Sequence, residues 1–252
     1  MSGLTLPPPP LLPDQAPVGR AALFLDFDGT LVEIAARPDA VQVPPGLPGL
    51  LTRLQAGLGG ALAVVSGRPM QDLDHFLPVP LAKAGDHGAT IRVQPHLAAE
   101  APPLPVPPEA WRLQAMALAQ AHPGVLVEEK THGFAVHYRL APEAGALAHA
   151  LLAALVLDSP FQLLAARMAW EVRPRGPSKA SAVRRLMQAP AFAGRVPVFI
   201  GDDVTDEEGM DAARALGGLG WQLQDAFGTP AALRGWLAQA LAAPQSPASP
   251  AP

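Results

Sequence analysis

An apolar run that stops abruptly at paired acids constrains this chain more than any other feature. Ala21-Ala22-Leu23-Phe24-Leu25 leads directly into Asp26-Phe27-Asp28-Gly29-Thr30-Leu31. Consecutive apolar residues without polar alternation read as a strand buried on both faces, the pattern of a parallel sheet. Open α/β folds bind their ligands at the C-terminal ends of such strands. Asp26 and Asp28 are therefore read as chemistry delivered to a sheet edge, against the alternative that Asp-Gly simply closes a turn.

Two further runs end in the same way. Ala61 to Val65 stops at Ser66-Gly67-Arg68-Pro69 and is followed by a helical segment carrying Met70, Leu73 and Leu77. Leu47, Leu50, Leu51, Leu54 and Leu58 fall on one helical face and supply the crossover before it. Ser66-Gly67 is either an ordinary strand-to-helix turn or, beside the Asp26 strand, a grip for a phosphoryl oxygen aided by a helix N-terminus. Val196 to Ile200 runs into Gly201-Asp202-Asp203-Val204-Thr205-Asp206-Glu207. Acids this crowded repel one another unless a cation is near, so this loop carries the strongest metal signal. There is no cysteine, which leaves oxygen or imidazole ligands only. Lys179 falls in the first turn of a helix opened by Ser178, where the dipole disfavours a cation, so its presence there asks for a functional reason. Parallel neighbouring strands would bring all these groups to one edge. A strand near Leu219 to Leu223 and a helix carrying Leu233, Trp236, Leu237 and Leu241 close the core, and His87 in its glycine-rich turn is read as structural.

Between about Ile91 and Met168 the pattern changes. A helix over Glu109 to Ala121, alternating strands over Val125 to Lys130 and Gly133 to Arg139, a helix over Glu143 to Leu157, and strands over Phe161 to Ala165 and Met168 to Arg173 make an αββαββ unit. The expected architecture is thus a Rossmann-like α/β parallel-sheet core, residues 18–90 and 174–243, with an inserted α+β cap at 91–173. Alternation puts Glu128 and Lys130 on one face of their strand, and Glu171 and Arg173 on one face of theirs. Such a charged face is either solvated or a binding surface. Proline-rich residues 1–17 and the Pro/Ser/Ala stretch 244–252 are expected to be disordered tails outside the fold. A net charge of −4 argues against nucleic acid; with no run long enough to span a bilayer and no signal-peptide pattern at the N-terminus the cytoplasm is the expected location, and a monomer is expected.

The ordered set Asp26-Phe27-Asp28-Gly29-Thr30, Ser66, Lys179 and Gly201-Asp202-Asp203 with Asp206 resembles the four motifs of the haloacid dehalogenase superfamily of phosphotransferases. The resemblance implies Asp26 as nucleophile, Asp28 as general acid and base, Ser66 and Lys179 on the phosphoryl group, and Mg²⁺ held by Asp26, the Asp28 carbonyl and Asp202, with Asp203 and Asp206 as further candidates. Within that superfamily the chain is similar to the trehalose 6-phosphate phosphatases. The features that carry this are Ser66-Gly67-Arg68, Gly85-Asp86-His87-Gly88-Ala89, Gly124 to Lys130, His137-Tyr138-Arg139, Glu171-Val172-Arg173-Pro174 and Gly201 to Glu207. That implies a small-molecule sugar phosphate as substrate, with Gly67, Arg68, Glu128, Lys130 and Glu171 binding it. Hydrolysis of another sugar phosphate such as sucrose phosphate, a phosphomutase, or a non-catalytic sensor are the alternatives. Ala180, Thr90 and Gly209-Met210 depart from the family's usual residues.

Overall fold

The computed structural model of the 252-residue chain describes residues 4, 6–17, 19–101, 103–130, 132–166 and 168–242. The chain divides into two units, residues Met1–Glu100 with Ser178–Pro252, and Ala101–Pro177.

The first unit is a six-stranded sheet in the order β10-β9-β1-β2-β3-β4. Its strands are β1 (Ala21–Leu25), β2 (Leu62–Val65), β3 (Ala82–Gly85), β4 (Thr90–Arg92), β9 (Val196–Gly201) and β10 (Leu219–Gln222). All neighbours are parallel except the β3–β4 pair. Around them lie α1 (Leu47–Gly57), α2 (Met70–Phe76), α5 (Lys179–Met187), α6 (Val204–Ala215), the short α7 (Leu223–Ala226) and α8 (Pro230–Ala242). Every residue of β1 and β2 is buried, as unbroken apolar strands require. Leu25 lies opposite both Val64 and Ile200, so β1, β2 and β9 end side by side and release Asp26, Ser66 and Asp202 at one edge.

The N-terminal segment corrects the sequence reading. Leu4 and Leu6 are buried in the core of this unit, and the Leu4 N–H donates to the Gly57 carbonyl at 3.2 Å. Two core indoles reach the segment: Trp236 Nε1 donates to the Pro8 carbonyl at 3.1 Å, and Trp221 Nε1 to Gln15 Oε1 at 2.9 Å. Proline-rich chain is extended before it docks, so ordering it costs little entropy, and its carbonyls stay free to accept. The expected tail at 244–252 lies outside the described residues.

The second unit contains α3 (Glu109–Ala121), β5 (Leu126–Lys130), β6 (Gly133–His137), α4 (Gly145–Val156), β7 (Phe161–Ala166) and β8 (Ala169–Pro174). Its antiparallel sheet has the order β5-β6-β8-β7. One face supplies Val127, Phe134, Val136, Trp170 and Val172 to an apolar cluster with Ala115, Leu118, Ala148 and Leu152 of the two helices. The unit begins at Ala101 rather than at residue 91, because β4 pairs with β3 and Ile91 bridges to Glu100, which ties that stretch to the first sheet. Among the described residues no helix is long and apolar enough to cross a membrane.

Candidate active site

At the edge of the first sheet a buried lysine joins two carboxylates. Lys179, only 2% exposed, donates from Nζ to Asp26 Oδ1 at 2.7 Å and to Asp206 Oδ1 at 2.5 Å. It stands at the start of α5, where Ser178 and Ser181 form a reciprocal capping box that fixes the first turn. The unfavourable dipole position is outweighed by the two ion pairs, which compensate the buried ammonium.

Asp206 is fully buried and both of its oxygens are engaged. Oδ1 takes the Lys179 ammonium, while Oδ2 accepts the N–H groups of Asp202 and Asp203 at 3.1 and 3.0 Å. It therefore ties the lysine to the loop that carries Asp202. A side chain at Gly201 would overlap the Asp206 carboxylate, which explains the glycine at the end of β9. Asp203 does not join the cluster: its side chain caps α6 and accepts the Val204 N–H at 2.8 Å. Of the expected metal ligands, Asp26, Asp202 and Asp206 come together, each with an oxygen within 4.8 Å of the others.

Thr30, which the motif contains but to which sequence reasoning gave no role, donates from Oγ1 to Asp202 Oδ1 at 3.1 Å. Gly29 turns the chain between them with φ +82°, and a Cβ there would run into the Asp202 carboxylate. Charge is unbalanced in this cluster. Burial and the neighbouring Asp206 and Asp202 push Asp26 well above the ordinary carboxylate range, against the pull of Lys179. Burial and Asp206 push Asp202 up to about 6. Lys179 is held above the ordinary lysine range by Asp206 and Asp26, although burial works against its charge. Three carboxylates crowd around one ammonium, and Asp26, Asp202 and Lys179 are all raised, the electrostatic state that a divalent cation relieves.

Ser66, Gly67 and Arg68 form the turn after β2. The buried Ser66 accepts the Arg68 N–H on Oγ at 3.1 Å, and the Arg68 guanidinium grips both oxygens of Asp28. A Cβ on Gly67 would come within 2.5 Å of His87 Nε2, so His87 shapes this turn from below. The departures noted in sequence are accommodated locally. Thr90 Oγ1 donates to Asp86 Oδ2 at 3.4 Å, and Gly209 leaves room for the Phe199 ring, within 2.5 Å of where its Cβ would stand.

Glu128, Lys130 and Glu171 lie in the second unit, on the sheet face away from its helices. Lys130 Nζ bonds Glu171 Oε2 at 3.2 Å, and Glu128 Oε2 meets His137 Nε2 at 2.7 Å. Ala135 on β6 is opposite both Glu128 and Glu171, and Gly133 is opposite Lys130, so small residues floor a surface walled by charge. Although burial opposes it, the His137 hydrogen bond and the Lys130 charge hold Glu128 below the ordinary carboxylate range. Glu171 and Arg173 are 4% and 5% exposed, unlike a solvated outer face. His137, named in sequence only as part of His137-Tyr138-Arg139 and given no role there, sits two residues from Ala135 on the same strand face.

A family model described as trehalose-phosphatase matches residues 24–224. A Sinorhizobium fredii protein described as a "probable trehalose-phosphate phosphatase" is 42% identical over 204 residues, 79% of this chain and 76% of that protein. The trehalose-6-phosphate phosphatase of Escherichia coli K12 is 36% identical over 223 residues, 85% of this chain and 80% of that one. Among solved structures, the C-terminal domain of Candida albicans trehalose-6-phosphate phosphatase shares the fold with a TM-score of 0.71 at 18% identity, over 89% of this chain and 92% of that chain.

Proposed function

The chain belongs to the trehalose-phosphatase family, and from that premise we propose that it hydrolyses trehalose 6-phosphate to trehalose and inorganic phosphate through a covalent phosphoryl group on Asp26. The observation that carries this is the Lys179 ammonium bonded at 2.7 Å to an Asp26 carboxylate at the end of β1. A carboxylate attacking a phosphate ester brings two anions together, and a fixed ammonium beside the nucleophile offsets charge on the phosphoryl oxygens. Asp26 displaces the sugar oxygen from phosphorus while Asp28 gives that oxygen its proton. Asp28 then takes a proton from water as the water oxygen attacks phosphorus and the Asp26–phosphorus bond breaks. Splitting one displacement into two in this way is ordinary covalent catalysis. Ser66 and the Gly67 N–H, with Lys179, hold the phosphoryl oxygens.

The carboxylate cluster suits a hard divalent cation: its donors are all oxygen, and its negative charge exceeds the one ammonium present. Asp26 and Asp202, with the backbone carbonyl of Asp28, would hold Mg²⁺. Asp206 positions Lys179 and the Asp202 loop, with both of its oxygens already used. Bound there, Mg²⁺ supplies positive charge against the phosphoryl oxygens.

Specificity is assigned to the second unit, where Glu128, Lys130 and Glu171 offer charged partners to sugar hydroxyls. A charge-assisted hydrogen bond is worth roughly 1.5–3 kcal/mol, so replacing any one by Ala should cost about 10- to 100-fold in kcat/KM for trehalose 6-phosphate. A small aryl phosphate carries no such hydroxyls, and its slow hydrolysis should change little in the same variants. Equal losses on both substrates would instead make the three residues part of the fold or of the phosphoryl site.

A further inference from the structure

Arg68, expected among the substrate-binding residues, pairs with Asp28 in this structure. Nε donates to Asp28 Oδ2 at 2.6 Å and Nη2 to Asp28 Oδ1 at 2.8 Å, a two-toothed pairing that uses both carboxylate oxygens. The guanidinium carbon lies 4.8 Å from the centroid of the Phe76 ring and 5.6 Å from that of Phe27. A planar cation seated on aromatic rings is oriented before it meets its partner. The Arg68 side chain is 8% exposed and that of Asp28 35%.

The backbone that carries Arg68 is equally fixed. Its N–H donates to Ser66 Oγ, and its carbonyl accepts the Asp86 N–H at 2.8 Å. The Ser66 carbonyl accepts the His87 N–H at 3.0 Å. Asp86 and His87 are consecutive non-glycine residues in the left-handed region, with φ 49° and 53°, and strain of this kind persists only where surrounding contacts enforce it. A Cβ at Gly85 would stand 2.9 Å from the Arg68 carbonyl oxygen. Arg68 is thus anchored at both ends: by the strained turn under its backbone and by the rings around its guanidinium.

We infer that Arg68 is a positioning residue, which acts on the reaction through Asp28 by holding that carboxylate where it can hand a proton to the leaving sugar oxygen and take one from water. The role rests on the phosphatase activity proposed above. A lysine offers a point charge without the planar pair of donors, so it should not replace arginine here.

The test uses the full chain with Mg²⁺ and the variants Arg68→Ala, Arg68→Lys, Asp28→Asn and the Arg68→Ala/Asp28→Asn double. On trehalose 6-phosphate, Arg68→Ala should lose about 100-fold or more in kcat with KM within about threefold, and Arg68→Lys should recover little. On p-nitrophenyl phosphate the phenolate leaves without needing a proton, so Arg68→Ala should release about one nitrophenolate per chain quickly and then slow down. In the Asp28→Asn background, where p-nitrophenyl phosphate still phosphorylates Asp26, adding Arg68→Ala should change the decay of that phosphoenzyme by less than about twofold. Additive losses in the double variant, a large rise in KM with kcat spared, or equal loss on both substrates without a burst would each overturn the inference. If Arg68→Ala does not fold, the same comparison is made with Arg68→Lys. Turnover of trehalose 6-phosphate that survives Asp28→Asn would overturn the phosphatase mechanism itself, a result distinct from failure at Arg68.

Discussion

Lys83 and Asp74 show, away from the reacting groups, how single residues hold the turn-bearing edge in place. Lys83 is buried in β3, where its ammonium reaches the Leu77 carbonyl at 2.7 Å and Asp74 Oδ1 at 2.8 Å. Asp74 also takes both donors of Arg92 at 2.7 and 2.8 Å, so one carboxylate at the end of α2 ties that helix to β3 and β4. The Arg92 hydrogen bonds, with help from Lys83 and against burial, lower Asp74 to about 2. An unfolded aspartate titrates near 4, at about 3.9. Because the folded value is the lower one, the stabilisation is complete above about pH 4 and is lost as pH falls toward about 2. Asp74 is 39% exposed, so solvent screening keeps the gain modest. The melting temperature gap between wild type and Asp74→Asn should be largest near neutral pH and close between about pH 4 and 2. A gap that stays constant through that range would contradict the assignment. The grouping of Asp26, Lys179 and Asp202 at one edge was legible because motifs isolate those residues. The Arg68–Asp28 pairing was not, because 40 residues separate partners that only the sheet register brings together.

At the scale of elements, periodicity located α1, α3, α5 and α8, since each carries an apolar stripe that has to be buried. It missed β3, whose sequence Ala82-Lys83-Ala84-Gly85 has no β-branched or aromatic residue and places a lysine in a buried strand. That strand is stable because helix-end carbonyls and Asp74 satisfy the ammonium, a long-range arrangement that local propensity does not encode. The N-terminal segment was missed for a related reason: composition marks proline-rich chain as solvated, while Leu4 and Leu6 need only a groove in the core to be buried. Burying two leucines is worth about 3–6 kcal/mol before ordering costs. In a chain of this size each kcal/mol moves Tm by about 2–4 °C. Removing residues 1–17 should therefore lower Tm by at least about 5 °C, as read by thermal unfolding. An unchanged Tm would mean that the segment contributes nothing in solution.

For the whole molecule, the sequence was most informative about architecture and about the edge where β1, β2 and β9 end, because buried parallel strands leave unbroken apolar runs that stop at polar turns. The assignment of a divalent cation follows from the charge imbalance at that edge. Excess chelator should reduce turnover by at least about 100-fold, and Mg²⁺ should raise the Tm of the wild-type chain but not of Asp202→Asn, since binding to the folded state stabilises it. Full activity in chelator would remove Asp202 from its proposed role. The most direct measurement is inorganic phosphate release, with Mg²⁺ present, from trehalose 6-phosphate, sucrose 6-phosphate, glucose 6-phosphate and glucose 1-phosphate, for the wild-type chain and for Asp26→Asn. The account predicts that kcat/KM for trehalose 6-phosphate exceeds that for the other three by at least about 100-fold, and that Asp26→Asn, still folded, abolishes release from all of them. Preference for another sugar phosphate, or turnover retained by Asp26→Asn, would contradict it.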